Sequence, residues 1–141
     1  MGGNYNSVMA SLKYAMIALI GWGIWAIGGK LLTRYFSATS TTFWVSFWSM
    51  IFIIIYVLVT HDLEFTSHSF YAIPVGLVSF IAILAFYKAL QLGPASVVVP
   101  FTNMYVIFPV LFGFIILREA ITLPRVLGII CAFLATILLS L

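Results

Sequence analysis

Long apolar runs, each close to the thickness of a bilayer, constrain this chain more than any other feature. They fall at about 14–33, 39–60, 70–92, 95–117 and 121–141. A hydrocarbon layer of about 30 Å needs about 20 helical residues to cross it. Inside lipid an unpaired backbone N–H or C=O has no water to bind, so such a segment crosses as a helix. The sequence therefore predicts an all-α integral membrane protein: one domain over 1–141 with five transmembrane helices. Only 6% of the residues are charged and 65% are hydrophobic. Soluble domains carry about 25% charged residues, which excludes that class.

The few charges bear on orientation. An odd number of spans puts the termini on opposite sides, and short loops orient a protein through their Lys and Arg. Lys13, Arg118 and Arg125 fall on one side, and Lys30, Arg34 and Lys88 on the other, three against three. A chain with no preferred orientation is a candidate to insert both ways and to pair with its own inverted copy. The net charge of +3 does not signal nucleic acid, because the basic residues are single and far apart. Cys131 is the one cysteine, so no disulfide forms within the chain. The run from Tyr14 to Gly29 behind Lys13 superficially matches a secretory signal. No small-residue cleavage site precedes Lys30 and Arg34, so a retained first helix is expected. Asn6 stands where N-myristoylation requires Ser or Thr.

Local signals place the connections. Gly93 is expected to stop the third helix in a left-handed conformation and Pro94 to forbid its continuation, giving a hairpin to the fourth. Thr122 is a predicted N-cap with Pro124 in the first turn of the fifth helix. Gly128, Ala132 and Ala135 form a smooth face there, suited to packing within the bundle or against a second subunit. Gly21 and Gly28 offer close approach on the first helix, with Trp25 between them.

No catalytic constellation is present. Asp62, Glu64 and Glu119 lie at membrane edges, and His61 and His68 read as solvated loop residues without a metal-ligand set. No cofactor is expected. What lies at depth is aromatic and weakly polar. Trp22 and Trp25 sit near mid-span, either packing or lining a cavity, while Trp44 and Trp48 are a turn apart on the second helix. Trp44 also suits the interfacial aromatic belt. Gly76, Ser79 and Tyr87 follow one another on the third helix. Lys88, beside Tyr87, can snorkel to the interface or face a cavity as a receiver of anionic groups. On the fourth helix Ser96, Pro100 and Asn103 form a polar stripe. Pro100 frees the carbonyl of Ser96, and Asn103 serves either as helix-bonding glue or as a substrate contact. Pro109 adds a second bend. With no Asp, Glu or His at depth, a transporter built this way lacks a carboxylate proton relay.

The run Ala85-Phe86-Tyr87-Lys88-Ala89-Leu90-Gln91-Leu92-Gly93-Pro94-Ala95-Ser96, with Val99-Pro100, Leu117-Arg118-Glu119-Ala120-Ile121-Thr122 and Gly128-Ile129-Ile130, resembles the EamA module of the drug/metabolite transporter superfamily. Gly21-Trp22-Gly23 and Lys30 agree more loosely. One departure is Val106 after Tyr105, where the family often has proline, with Pro109 three residues later. The resemblance implies two five-helix halves of inverted topology around a central cavity, of which this chain is one half. Its first four helices would line the cavity and the fifth would hold the halves together. The expectation is a transporter of small metabolites or amphipathic compounds in a prokaryotic cytoplasmic membrane, working as an antiparallel homodimer of ten helices. Cavity residues would be Trp22, Trp25, Trp48, Tyr87, Asn103 and Tyr105, with Lys88 possible. Glu119, at a characteristic family position, reads as a structural cap near Arg118 and Arg125. Rival readings are a subunit of a lipid-carrier or glycolipid translocase and a non-transporting membrane scaffold.

Overall fold

The computed structural model describes residues 2–118 and 122–140, and among them the side chains of all but 2–8, 125 and 140. The described residues form helices joined by short turns. In chain order these are α1 (Gly2–Leu32), α2 (Ala38–Thr60), α3 (Ala72–Leu92), α4 (Ala95–Asn103), α5 (Ile107–Ile115) and α6 (Leu123–Ser140). Short 3₁₀ segments precede α3 (Ser67–Tyr71) and link α4 to α5 (Met104–Val106). Among the described residues four segments are long and apolar enough to cross a membrane: Met9–Leu32, Ala38–Thr60, Ser67–Leu92 and Ala95–Ile115. The fifth run is represented by α6, apolar over Val126–Leu139.

Several helix ends have a local cause. Ser37 takes an extended conformation before α2, and its hydroxyl accepts from the Ser40 N–H at 3.2 Å, satisfying one of the orphan donors of the first turn. Replacing Ser37 by Ala should cost about 1 kcal/mol in a denaturation series in detergent. Asn at the same position should retain most of that stability. His61 closes α2 in the left-handed conformation, with φ 55° and its N–H on the Val57 carbonyl at 2.9 Å. The residue read as a loop histidine is thus also a helix stop. At the start of α6 the Thr122 carbonyl accepts the Val126 N–H at 3.2 Å, with Pro124 in the first turn. Glu119 lies outside the described residues.

The expected stop at Gly93 takes a different form. Gly93 is extended, with φ −129° and ψ 168°, and no described glycine has a positive φ. The third helix is closed from outside instead. Lys30 of α1 donates from Nζ to the Leu90 carbonyl and, at 2.7 Å, to the Gly93 carbonyl. Its positive charge therefore sits at the negative end of α3 and satisfies acceptors that the helix leaves unpaired. Pro94 then opens α4, and its carbonyl accepts from Val97 and Val98.

The fourth span is broken as the prolines require. Neither Pro100 nor Pro109 has an N–H to give, so each removes one rung of the helical ladder. Between them Met104–Val106 tightens into a 3₁₀ turn, with the Met104 N–H reaching back to the Phe101 carbonyl. Beside Pro100, Thr102 Oγ1 reaches both the Val98 and Val99 carbonyls, at 2.9 and 3.0 Å.

Packing is tight at one end of the bundle and loose along its middle. α3 is the hub, in contact with α1, α2 and α4, and α6 packs on α4. The core gathers where the end of α1, the start of α2, the end of α3 and the start of α4 meet. Ala38, Tyr87 and Leu90 are buried there, with Trp25, Val45, Ile83, Phe86, Ala95, Val98 and Val99 around them. A Cβ on Gly29 would stand 2.6 Å from Tyr87 Cε1, so glycine is what lets α1 lie against this ring. The close approach expected at Gly21 and Gly28 is not made, as neither has a neighbour within 4 Å of a Cβ position. The small-residue face of α6 is exposed: Gly128, Ala132 and Ala135 are all exposed, and no described neighbour lies within 4 Å of a Cβ position on Gly128.

Candidate substrate cavity

Above the packed end, α1 and α2 both rest on α3 and hardly touch each other. The crevice between them is a cavity of about 540 Å³. Trp22 and Trp25 line it from α1, Val45, Ser46, Ser49, Met50 and Ile53 from α2, and Ile83 from α3. These residues lie near the middle of the Met9–Leu32 and Ala38–Thr60 spans, so the cavity sits near mid-depth. It is open on one side in a single chain.

The tryptophan wall is held by aromatic contacts. Trp25 stacks on Phe86 with ring centroids 5.2 Å apart and planes 11° from parallel. Tyr87 leans on the same indole at 5.4 Å and 50°. Such pairs add about 0.5–1.5 kcal/mol beyond their buried area, so Trp25 is fixed from behind while its free side faces the cavity. Trp22, one turn earlier, has no ring partner among the described residues and is 64% exposed.

The structure brings together only part of the residue set expected from sequence. Trp22 and Trp25 line the cavity. Tyr87 stands behind Trp25, fully buried rather than lining the cavity, and its hydroxyl has no hydrogen-bond partner among the described residues. The Thr41 hydroxyl, also fully buried, likewise has no partner among the described residues. Trp48 belongs to a separate row on α2, Phe43, Trp44, Phe47 and Trp48, linked ring to ring at 5.3–6.0 Å and exposed on the outside of the chain. Lys88 is exposed near the end of α3. Asn103 and Tyr105 are exposed at the break of the fourth span. None of these last four lines the cavity of the single chain. The reason is rotation about the helix axes: one residue along a helix turns a side chain about 100°, so neighbours in sequence leave a common wall.

Ser46 and Ser49 are the cavity residues that the sequence reading missed. Their signal was available, since they sit three apart on one helical face. Nothing in the sequence singled out that face as the one beside Trp22 and Trp25. The lining contains no ionisable side chain. Among the described residues no group of His, Cys, Asp and Glu could hold a metal ion. His68 instead lies beside Tyr71, 5.9 Å between ring centroids, outside the bundle core.

Four helices of membrane length and a shorter apolar one, among the described residues, define a multi-pass helical membrane protein. Residues 9–141 match the EamA-like transporter family, and the chain belongs to that family, within the drug/metabolite transporter superfamily. It is also similar to an uncharacterized protein of Methanocaldococcus jannaschii, with 37% identity over 70 residues, 50% of this chain and 51% of that protein. The match thus spans about half the length of that curated relative. No solved structure matches the chain significantly.

Proposed function

We propose that this protein moves small metabolites or amphipathic compounds across a prokaryotic cytoplasmic membrane by alternating access. The cavity is completed by a second, inverted copy of the chain. The observation that carries this reading is a mid-span cavity walled by α1, α2 and α3 and open on its remaining side. An inverted partner supplies the missing wall, and rocking of the two halves exposes the site to each face in turn. The balanced Lys and Arg of the connections support dual insertion. The bond from Lys30 to the end of α3 also agrees with placing Lys30 and Lys88 at one membrane face. Exposed residues of the expected set, Trp48, Asn103 and Tyr105, are available to the interface between copies, as is the bare face of α6.

Reporter fusions after Leu141 combined with counterflow in proteoliposomes test this. The expected result is copies facing both ways and solute exchange by this chain alone. A single orientation overturns the inverted pairing, and no exchange without a second, different chain favours a heteromeric translocase. Because no carboxylate lines the cavity, exchange should not rise steeply with an imposed proton gradient.

A further inference from the structure

Resting on that transport reading, we propose that the cavity selects uncharged amphipaths with a flat apolar body and one or two hydrogen-bonding groups. Ser46 and Ser49 recognise the polar end and Trp22 and Trp25 the flat one.

The serines carry the argument. Thr42, Thr60, Thr102 and Thr136 all turn their hydroxyls back onto a carbonyl of the preceding turn, at 2.8–3.0 Å. In hydrocarbon this is the usual way to spend a donor that has no water to meet. Ser46 and Ser49 do not do so, and neither do Thr41, Ser79 and Ser96; what sets the pair apart is its place in the cavity wall. Their hydroxyls make no hydrogen bond among the described residues, and both line the cavity. Three residues apart on α2, they present two unspent donors and acceptors from one helical face. The opposite wall is indole, with Trp25 fixed by Phe86 and Tyr87. A flat ligand body between the two walls meets a π surface on one side and hydroxyls on the other. The volume of about 540 Å³ falls in the range of sites for one small molecule.

Charge decides the class. Indole faces are electronegative and repel an anion. They attract a cation, but no carboxylate in the lining offsets the hydration that a cation gives up near mid-membrane. A neutral solute pays neither cost and still uses both serines.

The test is binding to the full chain in nanodiscs, read by tryptophan fluorescence. The probes share one body: 2-phenylethanol, ethylbenzene, phenethylammonium and 3-phenylpropionate. The alcohol should bind at least tenfold tighter than either ion. In a Ser46→Ala/Ser49→Ala variant its affinity should fall about fivefold or more, the loss of at least one hydrogen bond. Ethylbenzene should bind the variant as it binds the parent, which also reports that the cavity is intact. An ion bound as tightly as the alcohol overturns the proposal. So does an unchanged affinity for the alcohol in the variant, an equal loss for alcohol and hydrocarbon, or no binding of any probe. Selective binding without counterflow would leave the cavity assignment standing and remove the transport reading. Counterflow of solutes without the neutral preference would do the reverse.

Discussion

Replacing Lys30 by Met lowers the stability of the folded chain by about 2 kcal/mol, and replacing it by Arg costs less. The Lys30 ammonium donates to two carbonyls at the end of α3, those of Leu90 and Gly93. Hydrogen bonds to charged groups are worth about 1.5–3 kcal/mol each, but Lys30 is only half-buried at the edge of the bundle. Water therefore replaces part of what Met cannot supply, which keeps the total near the lower end of that range. Arginine keeps the charge at the helix terminus but changes the length and geometry of the donor. Urea or thermal unfolding in detergent measures the difference. An unchanged midpoint for the Met variant would show that the helix end is satisfied without the lysine.

Gly29→Val is expected to cost about 3 kcal/mol and to loosen the tryptophan wall. The added Cβ would meet Tyr87 Cε1 at 2.6 Å. Tyr87 cannot swing aside cheaply, because it is fully buried with Ala38 and Leu90 and braced by Trp25 and Phe86. Overpacking a filled core costs about 1–3 kcal/mol, and a branched residue against a fixed ring lies at the upper end. The partner substitution Tyr87→Leu should recover part of the loss in the double variant, and a thermodynamic cycle over the two sites reads their coupling. Strict additivity would contradict the contact. Because Tyr87 supports the back of Trp25, the Gly29→Val variant should also show altered tryptophan emission.

Much of the architecture was legible before any contact was known. The second run was expected at 39–60 and α2 spans Ala38–Thr60. The third was expected at 70–92, and its last residue, Leu92, is also that of α3. The hairpin at Gly93-Pro94 and the bend of the fourth span followed from prolines that lack an N–H. Such features depend on a residue and its near neighbours alone. The cavity was half legible: Trp22 and Trp25 stood out as large rings at mid-span, and they line it. Ser46 and Ser49 did not stand out, because a serine in a helix is unremarkable until it is found in the wall of a cavity.

The sequence by itself determined that this is a bundle of apolar helices of membrane length, and the bounds of the second and third of them to within a few residues. These follow from the hydrocarbon layer, which every apolar residue and every backbone group meets one helix at a time. Tertiary structure alone decided that Lys30 closes α3, that Gly29 rather than Gly21 or Gly28 makes the close approach, and that α1 and α2 part to leave a cavity. The physical reason is that lipid is as apolar as the helices' own side chains. Hydropathy therefore gives no preference for one neighbour over another. Only fitted surfaces and a few polar contacts choose the rotation and register of each helix.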